Sequence, residues 1–140
     1  MREVASLLAD TCALIFLGVD DETSGKARGA IQRAYDAGER IFVSPMSAWE
    51  IGLLVSRGHL NLALSPRRWF DMVTDAPGFT LAELSPEVLI ASSFLPDCPL
   101  RDPVDRIIAA TAREYGLTLL TRDKQLLAYA EKGHIRALPC

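Results

Sequence analysis

Residues 6–11 read Ser-Leu-Leu-Ala-Asp-Thr, a short apolar run that ends in an acid. Residues 118–123, Thr-Leu-Leu-Thr-Arg-Asp, form a second apolar run that ends in a hydroxyl and an acid. Short runs of this kind are typical of buried strands in a parallel sheet. Ligands of open α/β sheets bind beyond the carboxyl ends of the strands, so Asp10 and Asp123 are predicted at one edge of the sheet.

Apolar runs rich in branched residues alternate with longer segments of helical spacing, which is the pattern of βαβ units around a parallel sheet. The expected fold class is therefore α/β. A chain of 140 residues has the size of one ordinary domain, so a single domain over residues 1–140 is expected. Five runs are predicted as strands: Val4 to Ala9, Arg40 to Val43, Phe79 to Glu83, Thr118 to Thr121 and Ile135 to Leu138.

Four helix starts share one signal, a serine or aspartate followed by proline, at Ser44, Ser65, Ser85 and Asp102. The polar residue can cap the helix, and proline suits the first helical position, where its missing N–H needs no partner. These starts predict helices over residues 45–57, 66–75, 86–93 and 103–115, with Gly58 and Gly116 closing two of them. Helical spacing predicts two more, over Glu22 to Ala37 and Asp123 to Glu131, and Leu95 to Arg101 is predicted to be irregular.

The composition, 49% hydrophobic and 24% charged residues, is that of a soluble globular protein. No apolar run approaches a membrane span, and the stretch Val4 to Leu17 is interrupted by Asp10, so we expect a cytoplasmic protein. A net charge of -3 argues against a nucleic-acid coating protein, although an acidic metal pocket can lower the sum in an RNA enzyme. The three cysteines lack zinc-site spacing and are predicted to be reduced thiols: Cys12, Cys98 and Cys140.

Glu50 is a further acid with an unusual setting. Residues 44–54 read Ser-Pro-Met-Ser-Ala-Trp-Glu-Ile-Gly-Leu-Leu, and the apolar neighbours at helical spacing place Glu50 at the edge of the buried stripe. An acid there is costly unless it is paired or binds a cation. The alternative is a partly exposed glutamate beside Trp49.

Asp105 lies in the segment Arg-Asp-Pro-Val-Asp-Arg-Ile-Ile-Ala-Ala-Thr-Ala, residues 101–112. Asp102 is explained as the helix cap, whereas Asp105 falls in the first turn and can project beyond the helix end. The alternatives are compensation of the helix dipole by Asp105 and capping of a following helix by Asp10. Each acid alone is weak evidence, but four acids at one edge would repel one another and require cations.

The four segments together resemble the PIN domain, and specifically the VapC-like toxins of bacterial toxin–antitoxin pairs. The resemblance rests on Leu-Leu-Ala-Asp-Thr, Ser-x-x-Ser-x-Trp-Glu-Ile, Arg-Asp-Pro-x-Asp-Arg-Ile-Ile-Ala-Ala and Leu-Leu-Thr-Arg-Asp, which run in the family's order between residues 7 and 123. One departure is Leu100, where many relatives carry His; it removes no metal ligand.

The resemblance implies a three-layer α/β/α fold with a central parallel five-stranded sheet, and metal-dependent cleavage of RNA. The family's catalytic and metal-binding acids correspond to Asp10, Glu50, Asp105 and Asp123, which would hold Mg²⁺ or Mn²⁺. Thr121 corresponds to the hydroxyl residue, predicted to position a water or a phosphate. The implied partners are an RNA substrate, tRNA or rRNA, a cognate antitoxin protein and a second copy of the chain in a homodimer.

Other functions fit the residues less well. A haloacid-dehalogenase-type phosphatase needs a second aspartate where Cys12 stands, and a phospho-receiver domain needs an acidic pair where Asp10 stands alone. His59 and His134 have no serine or cysteine partner at recognisable spacing, which argues against nucleophilic catalysis. The alternative from another class is a catalytically idle PIN fold that acts only as a binding module. Trp49 and Trp69 are predicted core or interface anchors, and the basic residues available to contact RNA are Arg57, Arg67, Arg68, Arg101 and Arg122.

Overall fold

The computed structural model describes residues 5–18 and 25–140. The strands of this part of the chain are β1 (Leu7–Ala9), β2 (Ile41–Val43), β3 (Phe79–Leu81), β4 (Thr118–Thr121) and β5 (Arg136–Pro139). Its helices are α1 (Thr11–Gly18), α2 (Gly25–Asp36), α3 (Pro45–Ser56), α4 (Pro66–Thr74), α5 (Pro86–Ala91), α6 (Pro103–Tyr115) and α7 (Lys124–Glu131). None of these helices combines the length and the apolar character that a membrane span requires.

The five strands form one parallel sheet in the order β3-β2-β1-β4-β5, which confirms the expected architecture. The strand order reverses at β1, because β2 lies on one side of it and β4 on the other. Ala9 of β1 is in register with Val43 of β2 and with Leu120 of β4. The carboxyl ends of the three central strands therefore meet at one edge.

Alternating strand residues pack against helices on opposite faces of the sheet. Leu8 and Leu119 belong to one core cluster with Ile108 of α6 and Tyr129 of α7. The residues beside them, Leu7, Ala9 and Leu120, pack in a second cluster with Ala27 and Ala34 of α2. Val43 continues this second face towards α3 and α4. The sheet is thus the middle of three layers, and successive side chains point to opposite faces as strand geometry requires.

The serine–proline and aspartate–proline signals are confirmed as helix starts. The side chains of Ser44, Ser65, Ser85 and Asp102 each accept a hydrogen bond from a main-chain N–H in the first turn of the helix that follows. At the other end of α6, Gly116 has φ 63°, a left-handed conformation that glycine adopts without steric cost.

Several strand boundaries in the structure differ from the predicted ones. Val4 and the stretch from 22 to 24 lie outside the described residues. Within them, β1 begins at Leu7, β3 ends before Ala82, and β5 is shifted by one residue towards Pro139. Sequence patterns indicate α1 only as the helix that Asp10 would cap, because this helix is largely apolar and has no polar face to reveal its period.

The predicted irregular stretch from Leu95 to Arg101 has no regular secondary structure but is held firmly in place. The hydroxyl of Tyr129 donates to the carbonyl oxygen of Pro96 at 2.6 Å, and Arg106 Nη1 donates to the carbonyl oxygen of Leu100 at 2.7 Å. Leu100 itself is buried in the core. The residue that departs from the family pattern is therefore a packing residue in this chain.

Leu119→Ala should lower the free energy of unfolding by about 2–5 kcal/mol, because Leu119 is fully buried between the sheet and α6 and truncation leaves a cavity. The measurement is urea denaturation. Leu81→Ala is the control, since Leu81 is 50% exposed and its truncation should change stability by no more than about 0.5 kcal/mol. Equal losses in the two variants would contradict the assignment of the core.

Candidate active site

The carboxyl edge of the sheet brings together residues from distant parts of the chain. Because Ala9 pairs with Leu120, the next residues along the two strands, Asp10 and Thr121, lie side by side. This is also the point where the strand order reverses. In open α/β sheets such a point opens a crevice for ligands between the helices that leave in opposite directions.

Asp10 is buried at this edge, with 7% of its surface exposed. Its Oδ1 accepts from the main-chain N–H of Ala13 at 2.8 Å, and its Oδ2 accepts from the hydroxyl of Thr121. Asp10 therefore caps α1, as the structural alternative proposed, and also contacts the residue that ends β4. Burial raises the pKa of Asp10, the hydrogen bonds from Thr121 and Ala13 lower it, and the charge of Asp123 raises it further.

Glu50 approaches from α3 and is half-buried, as its place at the edge of the apolar stripe predicts. Its Oε1 accepts from the hydroxyl of Thr11, which also lies 2.9 Å from the hydroxyl oxygen of Ser47. Thr11 has one proton to donate and gives it to Glu50, so Ser47 is the donor to Thr11. Burial raises the pKa of Glu50 most, the bond from Thr11 lowers it, and the charges of Asp102 and Asp10 raise it.

Asp105 is the most perturbed acid of the site. Asp102 caps α6 by accepting from the main-chain N–H groups of Val104 at 2.8 Å and of Asp105 at 3.1 Å, as expected. The side chain of Asp105 is half-buried and accepts no hydrogen bond from the residues that the structure describes. Burial raises its pKa to about 7, helped by the charges of Asp102, Asp123, Glu50 and Asp10, in that order.

Asp123 caps α7 instead of beginning it, which corrects the predicted helix start. Its Oδ1 accepts from the main-chain N–H groups of Gln125 at 2.8 Å and Leu126 at 3.0 Å. Its own N–H donates to the hydroxyl oxygen of Thr121 at 3.0 Å. Thr121 is fully buried, so its hydroxyl connects Asp10 with the backbone of Asp123. Its predicted contact with a water or phosphate stays a prediction.

The four predicted acids thus converge, and each of the other three acts on the pKa of Asp105. Within residues 5–18 and 25–140, however, no three His, Cys, Asp or Glu side chains are already arranged to hold a metal ion. The site is a group of separated carboxylates. Such a group can still suit Mg²⁺, which is usually held by one or two carboxylates while waters and phosphate oxygens complete its octahedron.

Comparison with known proteins agrees with this geometry. Residues 7–132 match the PIN domain family. The chain belongs to that family. Among characterised relatives, Ribonuclease VapC22 of Mycobacterium tuberculosis is 28% identical over 100 residues, which cover 71% of this PIN domain chain and 75% of the relative.

Two solved structures show the same fold. The VapBC2 structure from Rickettsia felis, bound to a promoter DNA fragment, matches with a TM-score of 0.68 at 11% identity, covering 95% of this chain and 98% of that one. A toxin–antitoxin complex from Klebsiella pneumoniae matches with a TM-score of 0.58 at 24% identity, covering 88% and 91%. At these identities the likeness concerns the fold alone.

Two hydroxyl residues of this PIN domain have contacts that sequence patterns left without a role. Thr11 and Ser47 are buried and connect α1 with Glu50 of α3. The available signal was the spacing of Ser47 and Glu50, since residues three apart lie on the same face of a helix. The thiol of Cys12 lies nearby, and its partial desolvation together with the charges of Asp10 and Glu50 raises its pKa, so it is a poor nucleophile.

A groove of about 350 Å³ leads to Glu50 between α3 and the start of α6. Its walls include Trp49, which is 58% exposed and therefore is not a core residue, unlike the buried Trp69. Arg57 also lines the groove, together with Asp102. The groove thus offers an aromatic surface and a cation beside the acids.

The raised pKa of Asp105 predicts a pH dependence of stability in metal-free buffer. Between the ordinary pKa of 3.8 and the folded value of about 7, the unfolded chain releases a proton that the folded chain keeps. Stability should therefore fall as pH rises through this window, and Asp105→Asn should remove that part of the fall. Because solvent screens the charge of Asp105, we expect Asp105→Asn to raise the free energy of unfolding at pH 7.5 by only about 1 kcal/mol. Thermal unfolding in EDTA at several pH values measures it, and an unchanged slope in the variant would refute the assignment.

Thr121→Val should destabilise the fold by about 1–3 kcal/mol at pH 7, because it removes a buried donor to Asp10 and the acceptor for the N–H of Asp123. Thr121→Ser keeps the hydroxyl and is the matched control. Urea denaturation compares the two. If valine is tolerated as well as serine, the hydroxyl does not organise the acids.

Proposed function

We propose that this PIN domain is a metal-dependent endoribonuclease toxin of a toxin–antitoxin module, which hydrolyses RNA to 5′-phosphate and 3′-hydroxyl ends. The observation that supports it best is Asp105, a half-buried carboxylate without a hydrogen-bond donor among the described residues, in the field of four other acids. A protein gains nothing in stability from such an arrangement unless a cation neutralises it.

The chemistry of the donor set fits Mg²⁺ or Mn²⁺. The site offers carboxylate and hydroxyl oxygens, which are hard ligands, and the two nearby thiols, Cys12 and Cys140, have raised pKa values that disfavour their metal-binding form. Asp10, Glu50, Asp105 and Asp123 would hold the metal, some of them directly and the others through its waters. When bound, the metal would lower the pKa of a water that attacks the phosphodiester and would stabilise the oxygen that leaves.

Other residues of this chain orient the acids and would contact the RNA. Thr121 holds the carboxylate of Asp10, and Thr11 holds that of Glu50, so both acids are oriented before a ligand arrives. Asp102 fixes the first turn of α6 and with it the position of Asp105. Arg57 lines the groove beside Glu50, and we expect it to contact a phosphate of the RNA.

The relatives support the wider context. The relative from Mycobacterium tuberculosis is named a ribonuclease, and the matching structures from Rickettsia felis and Klebsiella pneumoniae are a VapBC protein and a toxin–antitoxin complex. By analogy, we propose that this chain acts in the cytoplasm on tRNA or rRNA, forms a homodimer and is neutralised by a cognate antitoxin protein.

One observation favours a second candidate, a catalytically idle PIN fold that serves as a binding module. The described residues contain no preformed group of three metal ligands. Binding of Mn²⁺ separates the two functions. The nuclease should bind Mn²⁺ in a titration followed by electron paramagnetic resonance, and the binding module should not bind it even at millimolar concentration.

Asp10→Asn and Asp105→Asn should each reduce RNA cleavage in Mn²⁺ by at least about 100-fold, because loss of even an outer partner of a metal ligand costs roughly 10- to 100-fold. Both variants should stay folded, since each removes a charge from a group of repelling acids. The assay measures new ends in total cellular RNA through ligation of an adapter that requires a 5′-phosphate.

Asp75→Asn is the matched control, because Asp75 is an exposed aspartate at the end of α4. It should cleave like the original chain. Full activity of either site variant would rule out the proposed ligands, and ends that cannot be ligated would rule out the proposed products. Brief induction in cells, followed by mapping of 5′ ends against Asp10→Asn, would then identify the RNA.

A further inference from the structure

A polar cavity lies at the amino edge of β4 and β5, at the opposite end of the sheet from the acids. It has a volume of about 370 Å³ and lies between the end of α6 and the turn that joins α7 to β5. Its walls carry two arginines, Arg113 and Arg136, together with His134 and one acid, Glu114. We refer to it as the amino-edge cavity.

The two arginines hold each other's segments in place. Arg113, in the last turn of α6, donates through Nη1 to the carbonyl oxygen of His134. Arg136, at the start of β5, donates through Nη2 to the carbonyl oxygen of Gly116, the residue that ends α6, at 2.6 Å. A guanidinium has five N–H donors in a rigid plane, so each side chain is fixed by one contact and keeps others for a ligand.

Two arginines and one glutamate line the cavity, so its lining balances the positive charge only in part. Neither arginine forms an ion pair with an acid among residues 5–18 and 25–140, although Glu114 lines the same cavity. The hydrogen bonds to carbonyl oxygens account for the fixed geometry but leave two like charges facing one space. A planar, oriented pair of guanidinium groups is suited to a phosphate.

A second groove connects this cavity with the opposite edge of the sheet. It runs between α7 and the edge strand β5, has a volume of about 540 Å³, and shares Arg136 with the amino-edge cavity. Its other end is at Pro139, the strand partner of Thr121. Four residues of strand span about 13 Å, so an RNA must extend well past the scissile bond to reach the arginines.

We infer that the amino-edge cavity binds a backbone phosphate of the RNA whose scissile bond lies at the acids. The inference rests on the proposed nuclease function and assigns an additional substrate-binding role to Arg113 and Arg136. Because the contact is made to the backbone, it should strengthen binding of long RNAs of any sequence and should not affect a dinucleotide.

The test measures binding of total tRNA to the full chain in EDTA, where no cleavage occurs, over a series of salt concentrations. Arg113→Gln and Arg136→Gln should each lower the slope of log K against log salt, by at most the roughly 0.7–0.9 that one phosphate contributes, and should weaken binding about fivefold at low salt. Arg33→Gln, an exposed charge on α2 outside both cavities, is the control and should keep the slope. Glu114→Gln should strengthen binding.

A structural role is separated from phosphate binding by Arg113→Lys, which keeps the charge but loses the planar contact. It should retain most of the slope. If lysine and glutamine lose the slope equally, or if neither glutamine variant differs from Arg33→Gln, the inference is wrong. A second result would also overturn it. If inorganic phosphate binds and its binding requires both arginines, while tRNA binding is unchanged in the variants, the cavity binds a small anion and not RNA.

Cleavage gives a separate readout. With Mn²⁺, the glutamine variants should raise KM for tRNA and leave cleavage of the dinucleotide UpA unchanged. If the original chain cleaves neither substrate but the salt slopes change as expected, the nuclease proposal fails and the phosphate site stands. If both substrates are cleaved and the salt slopes do not change, the phosphate site is ruled out and the nuclease proposal stands.

Discussion

Pairing of β1 with β4 at the centre of the sheet is the constraint on which the site depends. It places Asp10 beside Thr121, residues 111 positions apart in sequence, and a single buried hydroxyl then contacts one acid and the backbone of another. A shift of one residue in this register would turn Leu119 and Leu120 to the wrong faces of the sheet. The core packing that fixes the register therefore also fixes the geometry of the acids.

Such a site carries an energetic cost that the core must offset. Burial and mutual repulsion raise the pKa values of Asp10, Glu50 and Asp105, so all three are harder to ionise in the folded chain than in water. Two threonine hydroxyls reduce this cost for the first two acids, whereas Asp105 has no such donor in the described chain. A bound cation would therefore lower the cost of ionisation most at Asp105.

Sequence patterns predicted the sheet and the convergence of the acids, because both follow from strand ends and proline-led helix starts. The sequence pattern gave little indication of helix α1, since a helix that is apolar on every side has no hydrophobic period to detect. The bonds from Thr11 to Glu50 and from Thr121 to Asp10 join residues far apart in sequence. No local pattern contains that information. Motifs could therefore name the acids but could not say which of them lacks a donor.

Helix capping and compensation of the helix dipole were the structural alternatives to metal binding for these acids. The energies of these two effects decide how much of each acid's position they explain. Asp10, Asp102 and Asp123 do cap helices, and these bonds explain much of their placement. For Asp105 the dipole of α6 is available, but an acid in the first turn gains only about 0.3–1 kcal/mol from it, less than one pKa unit.

The pKa of Asp105 nevertheless rises from 3.8 to about 7, so burial and the surrounding acids outweigh the helix dipole. A purely structural acid would be better placed on the solvent side of the same helix. A positive charge from outside the chain would account for the position of Asp105, because the arginines of α6 are engaged elsewhere. Arg106 donates to the carbonyl oxygens of Ser92 and Leu100, and Arg113 lies at the opposite end of the helix.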